Sequence, residues 1–324
     1  MTSTNDSGTR SHPACTEGRA CPRATRPNDP ANWEFPPVAD CSHPCAAPPT
    51  PAPTPAISNH PWFVLHPLSH HNILWHWERA TRDEVERGTR WYRDAHQLAV
   101  AIADGKAHLG AGVLALYSPQ QGWTVNVLTA ARVLSEGRGL GGPGSGIFAS
   151  TSQKNAATRL LNGEPHEEVL TGPKVRSFAH LIEFGGDHDP DQPHATIDRH
   201  ALSVVHGDAL DSVDYESAPL SGFRRRDGSI SCQHYDSVVN LYRQAADLIT
   251  HGVGTPVAAH QVQAVTWLVR QRLNQQAEQQ RGLTRLDRGR QRARTNVEQA
   301  WTTFRAKHFP HLEAYPGTGY EPAA

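Results

Sequence analysis

A succession of amphipathic helical patterns follows residue 70, and this periodicity is the strongest constraint on the fold. The first pattern runs from a capping box at Thr81–Glu84, through apolar positions at helical spacing, to Gly105. Similar patterns continue towards the C-terminus, while alternating strand patterns are few. The further predicted helices span 112–117, 123–134, 152–161, 174–184, a segment opening at residue 198, 235–249, a segment from about 256, and 292–308. The sequence therefore predicts an all-α protein.

The N-terminal 59 residues differ in composition from the rest of the chain. They are rich in Pro, Thr and Ala, and the run 46–56 consists entirely of proline, alanine and threonine. Such a segment cannot bury enough apolar surface to offset the entropy cost of ordering it. We therefore predict a disordered tail over 1–59 and one helical domain over 60–320, built of two lobes with a cleft between them.

The apolar runs and the cysteine positions bear on whether the protein is a membrane, secreted or metal-binding protein. No run is apolar and long enough to cross a membrane, and no secretory signal opens the chain, so we expect a cytoplasmic protein without a membrane partner. Four of the five cysteines, Cys15, Cys21, Cys41 and Cys45, lie in the tail. A zinc site formed by these cysteines is conceivable, but their spacing lacks the closely spaced pairs of zinc motifs. Scattered thiols in the tail are therefore the better interpretation. No metal and no cofactor are predicted.

Charge is patterned although the formal net charge is only −1. One segment has eight arginines against Glu278 and Asp287, and 224–226 form a second cluster. Such patches can neutralise phosphates, although for the C-terminal helix alone a solvated helix face is the favoured interpretation. The eight arginines are Arg270, Arg272, Arg281, Arg285, Arg288, Arg290, Arg292 and Arg294.

The segment 170–206 has the arrangement best suited to chemistry. Thr171-Gly172-Pro173 forms a turn between two helical patterns, Lys174 follows it, and Asp198 opens the next apolar helix. A tight turn of this kind can aim backbone N–H groups at a phosphate. A carboxylate beside a sugar can stabilise positive charge as a glycosidic bond breaks. Aspartate is also a common helix N-cap, and the two roles are compatible.

Four segments, in order, resemble motifs of the helix-hairpin-helix DNA glycosylases, the superfamily that includes the endonuclease III type. They cover roughly residues 109–207. The first two are Leu116-Tyr117-Ser118-Pro119-Gln120 with Asn126, and Ser152-Gln153-Lys154-Asn155-Ala156. The other two are Leu170-Thr171-Gly172, which is similar to the start of the family hairpin, and Thr196-Ile197-Asp198-Arg199-His200, which is similar to the segment with the catalytic aspartate.

The resemblance assigns roles to individual residues. It makes Asp198 the catalytic carboxylate and places Gln120 in the loop that fills the gap left by a flipped base. Lys174 is the nucleophile if the hairpin is aligned on Lys-Val, whereas Arg176 takes that position in an alignment without a gap. The remaining DNA-contacting candidates are Thr171, Gly172, Arg176, Arg199 and His200, and the pocket candidates are Trp123, Asn126, Gln263 and Trp267.

The chain also departs from that family. Its hairpin is about two residues shorter, and the interval between Lys174 and Asp198 is longer. Endonuclease III-type enzymes often hold an iron–sulfur cluster with four C-terminal cysteines, but only Cys232 follows Asp198 here, so no cluster is expected.

The resulting expectation is a monomeric, nucleoid-associated enzyme that acts on duplex DNA and cleaves the N-glycosidic bond of a damaged or modified nucleotide. One alternative is an inactive nucleic-acid-binding or base-modification relative with the same fold. A less favoured alternative is a metal-dependent hydrolase that uses the His- and Asp-dense segment, whose members are His180, His188, Asp189, Asp191, His194, Asp198 and His200.

Overall fold

The computed structural model describes residues 58–312, apart from 120, 143–148, 187–194, 221–222, 225–229 and 283. These residues form thirteen α-helices and one two-stranded antiparallel hairpin. In chain order the elements are α1 (Pro61–Leu65), α2 (His70–Trp77), α3 (Arg82–Ile102), α4 (Ala107–Tyr117), α5 (Trp123–Glu136), α6 (Thr151–Leu161), α7 (His166–Val169), α8 (Pro173–Glu183), α9 (Arg199–His206), α10 (Ser212–Ser217), β1 (Phe223–Arg224), β2 (Ile230–Ser231), α11 (Gln233–Val253), α12 (Ala259–Arg281) and α13 (Arg285–His308). The predicted all-α class is confirmed.

Local capping sets where several helices begin. At α3, the Thr81 hydroxyl accepts from the Glu84 N–H at 3.2 Å, and the Glu84 carboxylate accepts from the Thr81 N–H at 2.8 Å. This is the capping box predicted from the sequence. Helix α6 begins with a second box, formed by Ser150 and Gln153. Both boxes satisfy backbone N–H groups that have no partner inside the helix.

The structure also differs from the sequence-based boundaries. Helices α1 and α2 precede the first predicted helix, and α13 begins at Arg285 rather than near residue 292. The first two are only five and eight residues long, too short for a clear periodic pattern. Most of the predicted tail lies outside the described residues.

Two hydrophobic cores divide the described residues. The first core contains side chains of α3 to α8 and Trp301 of α13. The second core gathers α1, α2, α9 and α11. Helix α12 serves both, because Val262 and Val265 pack into the second core while Trp267 packs into the first. The two cores therefore agree with the predicted two lobes.

Helices α3 and α12 cross closely where the cores meet. A Cβ atom added at Gly88 of α3 would lie 2.5 Å from Val265 Cγ2 and 2.7 Å from the Val265 backbone. Glycine at this position therefore allows a crossing that any other residue would push apart. The same two helices supply Trp91, Tyr92, Gln263 and Trp267 to the cavity described below.

Within the described part of the chain, no single helix is both long and apolar enough to cross a membrane. Taken together, α3 and α4 pass that test of length and composition, but they meet at a bend of 108°.

Candidate active site

A cavity of about 490 Å³, measured with its opening to solvent, brings together residues that are far apart in sequence. It contains both predicted catalytic residues and all four predicted pocket residues. The lining residues are Trp91, Tyr92, Ser118, Trp123, Asn126, Lys174, Phe178, Thr196, Asp198, Gln263, Ala264 and Trp267.

Asp198 is both a helix cap and a cavity residue. Its Oδ1 atom accepts a 2.8 Å hydrogen bond from the Ala201 N–H, which caps α9. The extended segment before it is fixed by the Tyr235 hydroxyl, which accepts from the Ile197 N–H and donates to the Ala195 carbonyl. A partly exposed carboxylate is thus held rigidly at the cavity wall.

Lys174 reaches the same cavity from the first turn of α8. Gly172 is the N-cap of that helix and Pro173 occupies its first position, where a missing N–H has no cost. Burial lowers the pKa of the Lys174 amine, while the nearby Asp198 carboxylate opposes this shift and Arg199 adds to it. A lysine whose pKa is lowered has a larger neutral, nucleophilic fraction.

Arg176, the other candidate for the nucleophile position, faces elsewhere. It is exposed, does not line the cavity, and donates from Nε to the Leu170 carbonyl of the turn. The geometry therefore agrees with the alignment on Lys-Val, in which Lys174 holds that position.

Aromatic rings form the apolar wall of the cavity. The Trp91 and Phe178 rings stack with their centroids 5.7 Å apart, and Trp91 also meets Trp123 at 5.0 Å and Trp267 at 5.8 Å. Such a wall offers flat apolar faces to a planar ligand.

A buried polar network lies beside the aromatic wall. The Tyr92 hydroxyl is placed 3.0 Å from Thr196 Oγ1 and 2.9 Å from Gln263 Oε1. Burial raises the pKa of Tyr92 far above its usual range, so the hydroxyl stays protonated and can donate. This bond orients Gln263, which lines the cavity.

Asn126 contributes an acceptor without a partner. Its side chain is 1% exposed, it lines the cavity, and its Oδ1 atom has no hydrogen-bond partner among the described residues. A buried amide oxygen left without a bond is unfavourable, and a ligand N–H group would relieve that cost.

The predicted DNA-contacting residues of the turn lie at the surface. Thr171 is exposed and Gly172 is partly exposed in the short link between α7 and α8, and Arg176 is exposed on α8 itself. Pro173 removes one backbone N–H that such a turn could offer to a phosphate.

The other DNA-contacting candidates occupy different environments. Arg199 is partly exposed at the start of α9, whereas His200 is 4% exposed and lies against Trp267 with ring centroids 6.4 Å apart. In this conformation the His200 ring is part of the interior and would need a rearrangement to touch DNA. Gln120 lies outside the described residues.

Sequence reasoning gave no role in the site to six of the lining residues. They are Trp91, Tyr92, Ser118, Phe178, Thr196 and Ala264. On a helix such as α3, apolar residues at core spacing look the same whether they face a core or a cavity. Ser118 and Thr196 lie inside the quoted motif segments and Ala264 follows Gln263, but no chemical role was assigned to these three residues.

The arginine-rich segment is divided by the fold. Arg270 is 7% exposed, and its Nη2 atom lies 3.3 Å from Asp208 Oδ1. Arg272 donates from Nε to Glu84 Oε1 at 2.8 Å. These two arginines are structural ion-pair partners. The other side of the segment is exposed, as expected for a solvated helix face. Its exposed residues on α13 include Arg288, Arg290 and Arg292.

Most of the His- and Asp-dense segment proposed as a metal site cannot be placed. His188, Asp189, Asp191 and His194 lie outside the described residues. A different group of four side chains within the described part of the chain, His108, His166, Glu167 and Glu183, has the donor atoms for a metal. None of the four lines the cavity.

Comparison with known proteins identifies a family. The model of a family of unknown function, DUF7178, matches residues 67–276, and the chain therefore belongs to this family. The matched range includes every residue that lines the cavity. No curated protein and no solved structure matches the chain.

Proposed function

We propose that this member of the family cleaves the N-glycosidic bond of a damaged or modified nucleotide in duplex DNA. The observation that carries the proposal is that Asp198 and Lys174 reach one aromatic-walled cavity from two different helices. The resemblance to helix-hairpin-helix glycosylases supports the same chemistry, since it assigns catalytic roles to those two residues.

The cavity suits a flipped nucleobase. A base inside a duplex is inaccessible to chemistry at C1′, so the nucleotide must rotate out of the stack. The aromatic wall formed by Trp91, Trp123 and Phe178 offers stacking faces. The unpartnered Asn126 Oδ1 atom favours a base that presents an N–H group.

Asp198 would act on the sugar as the bond breaks. As the C1′–N bond lengthens, its electron pair moves to the base and positive charge develops on the sugar ring. A fixed carboxylate stabilises that charge and accepts the proton released by the attacking nucleophile. The departing base then takes up this proton from Asp198, which returns the carboxylate to its ionised form.

Lys174 would supply the nucleophile. The neutral amine attacks C1′, so that a C1′–Nζ bond replaces the glycosidic bond, and the ring then opens to an imine that water hydrolyses. Without this attack, a water molecule activated by Asp198 would take the same position and yield an abasic site.

The first experiment incubates the wild-type protein and Asp198→Asn with a panel of duplexes that contain damaged or modified bases. We expect base release to fall by about 10²–10⁴-fold in the variant, the range typical of a positioned proton acceptor. Asparagine still caps a helix, so α9 should remain folded.

Asp211→Asn is the matched control for this substitution. Asp211 also caps a helix, accepting from the Asp214 N–H at 2.7 Å, but it does not line the cavity. We expect wild-type activity for this variant. No base release by the wild type on any duplex, or equal release by wild type and Asp198→Asn, would refute the proposal.

Trapping with borohydride tests Lys174 separately. A covalent protein–DNA adduct should form with the wild type and with Lys154→Ala, since Lys154 is exposed on α6, but not with Lys174→Ala. Base release without any trapped adduct would assign the attack to water and remove Lys174 from the mechanism.

The alternative function is nucleic-acid binding, or base modification, without bond cleavage. Pro173 favours it, because the turn between α7 and α8 has lost one donor to DNA. Tight duplex binding by the wild type, without base release from any member of the panel, would support this alternative.

A further inference from the structure

We infer that His108, His166 and Glu167 form a binding site for a divalent transition metal of the Zn²⁺ type, with Glu183 as the carboxylate that orients both histidines. This inference does not rest on the proposed function, since none of these residues lines the cavity. The donor atoms of the four residues all lie within 4.8 Å of one another.

Glu183 fixes the orientation of both imidazole rings. Its Oε1 atom lies 2.9 Å from His108 Nδ1, and its Oε2 atom lies 2.8 Å from His166 Nε2. One carboxylate thus contacts a ring nitrogen of each histidine at hydrogen-bond distance, and both contacts are satisfied when the two nitrogens carry the protons and the carboxylate accepts from both.

The opposite nitrogens of the two rings are therefore the ones available to a metal. His166 is 1% exposed, and its Nδ1 atom is buried without a hydrogen-bond partner among the described residues. His108 Nε2 accepts a 3.2 Å bond from the His166 backbone N–H, which requires that this nitrogen be unprotonated. Coordination at His108 would replace that long bond.

Glu167 faces both of these nitrogens. Its Oε2 atom lies 3.7 Å from His166 Nδ1 and 3.8 Å from His108 Nε2. These separations are too long for hydrogen bonds. Ligand atoms on a tetrahedral Zn²⁺ lie roughly 3.3–3.5 Å apart, as follows from bond lengths near 2.0–2.1 Å. A small inward movement of the three atoms would complete the coordination.

The surroundings also fit a metal centre. A carboxylate behind each metal-binding histidine is the usual arrangement that fixes the ring and raises its basicity. Two imidazoles and one carboxylate favour Zn²⁺ and similar ions over Mg²⁺ or Ca²⁺. His166 can be buried here because Gly112 of α4 has no side chain, since a Cβ there would lie 2.9 Å from His166 Cβ.

The metal would tie together three helices around the turn. His108 belongs to α4, His166 and Glu167 belong to the four-residue α7, and Glu183 ends α8. Helix α7 leads directly into the turn before Lys174, so metal binding should stabilise the turn between α7 and α8. A water molecule would fill the fourth position, on the side where His108 and Glu167 are partly exposed to solvent.

Titration of the metal-stripped, full-length protein with Zn²⁺ tests the inference. Cys15, Cys21, Cys41 and Cys45 are replaced by serine in all samples, so that tail thiolates do not compete for the ion. We expect one equivalent of Zn²⁺ to bind and to raise the melting temperature, reversibly on addition of a chelator.

Glu167→Gln and Glu168→Gln form the matched pair. Both residues are exposed on α7, but only Glu167 faces the histidines, so neither change should unfold the protein. We expect Glu167→Gln to weaken binding by at least about ten-fold and to abolish the thermal shift, while Glu168→Gln behaves as the wild type. Glu183→Gln should weaken binding by about 10–100-fold, as orienting residues usually do. Binding of less than one equivalent by the wild type, or equal affinity for the Glu167 and Glu168 variants, would overturn the inference.

Discussion

At the scale of single residues, Asp198 combines a structural role with a place in the candidate site. One carboxylate oxygen caps α9, and the same residue lines the cavity beside Lys174. A cap position is at the end of a helix, where the side chain is fixed by a backbone N–H and still faces outwards. Lys174 differs from Asp198, because its burial makes the charged form of the amine unfavourable and lowers its pKa.

Lys174→Met should stabilise the protein while removing the proposed nucleophile. The pKa of Lys174 is lowered on folding, so the unfolded chain binds its proton more strongly and folding is penalised wherever the amine is charged. The free energy of unfolding that the substitution gains should have its full value at a pH below the lowered pKa of Lys174. It should vanish at a pH above the pKa of a free lysine, about 10.4.

Thermal melts of both proteins from neutral to high pH measure this difference. Methionine has a similar length and no charge, so packing should be retained. A variant that melts below the wild type at neutral pH would show that the attraction to Asp198 outweighs the cost of burial.

At the scale of elements, the contact between α3 and α12 positions much of the site. Trp91 and Tyr92 project from α3, Gln263 and Trp267 from α12, and Gly88 sets how closely the two helices approach. A change in that distance should therefore affect both stability and the cavity.

Gly88→Ala should lower the free energy of unfolding by about 1–3 kcal/mol, the usual cost of overpacking. The added methyl would meet the Val265 backbone, which cannot rotate away. Gly252→Ala is the control, because Gly252 lies in α11 with no atom within 4 Å of an added Cβ and should gain up to about 1 kcal/mol from helix propensity. Denaturant unfolding measures both, and equal stability of the two variants would refute this account of the crossing.

Helix boundaries show which elements could be predicted from the sequence and which could not. Thr81 and Glu84 form the capping box that their spacing predicted, because capping depends on neighbours three residues apart. The short helices α1 and α2 were missed, because tertiary packing rather than a periodic pattern stabilises them. Ile73 and Trp77 of α2 are buried in the second core.

At the scale of the whole molecule, two cores share α12. Val265 packs into one core and its neighbour Ala264 into the other. A helix that serves both cores cannot unfold with one and remain folded with the other. The described residues should therefore unfold in a single transition.

Ile73→Ala tests this coupling from the second core. Ile73 is completely buried, and the truncation should cost about 2–5 kcal/mol. Tryptophan fluorescence should show one transition that shifts together with the one followed by far-ultraviolet circular dichroism, because Trp91, Trp123 and Trp267 report on the first core while Trp62 and Trp77 report on the second. Leu248→Ala, at a site that is 50% exposed, should change little. Two separate transitions would contradict the shared-helix account.

The sequence by itself determined the helical class, the main helix starts and the identity of Asp198, Lys174, Trp123, Asn126, Gln263 and Trp267 as site candidates. These depend on local spacing or on short motifs, which a chain carries wherever it folds. Only the tertiary structure decided that Lys174 rather than Arg176 enters the cavity, that Trp91 and Phe178 wall it, and that His108 and His166 meet at Glu183. The two histidines are 58 residues apart in the chain. Their approach depends on helix packing and on the missing side chain of Gly112, and neither leaves a periodic signal in the sequence.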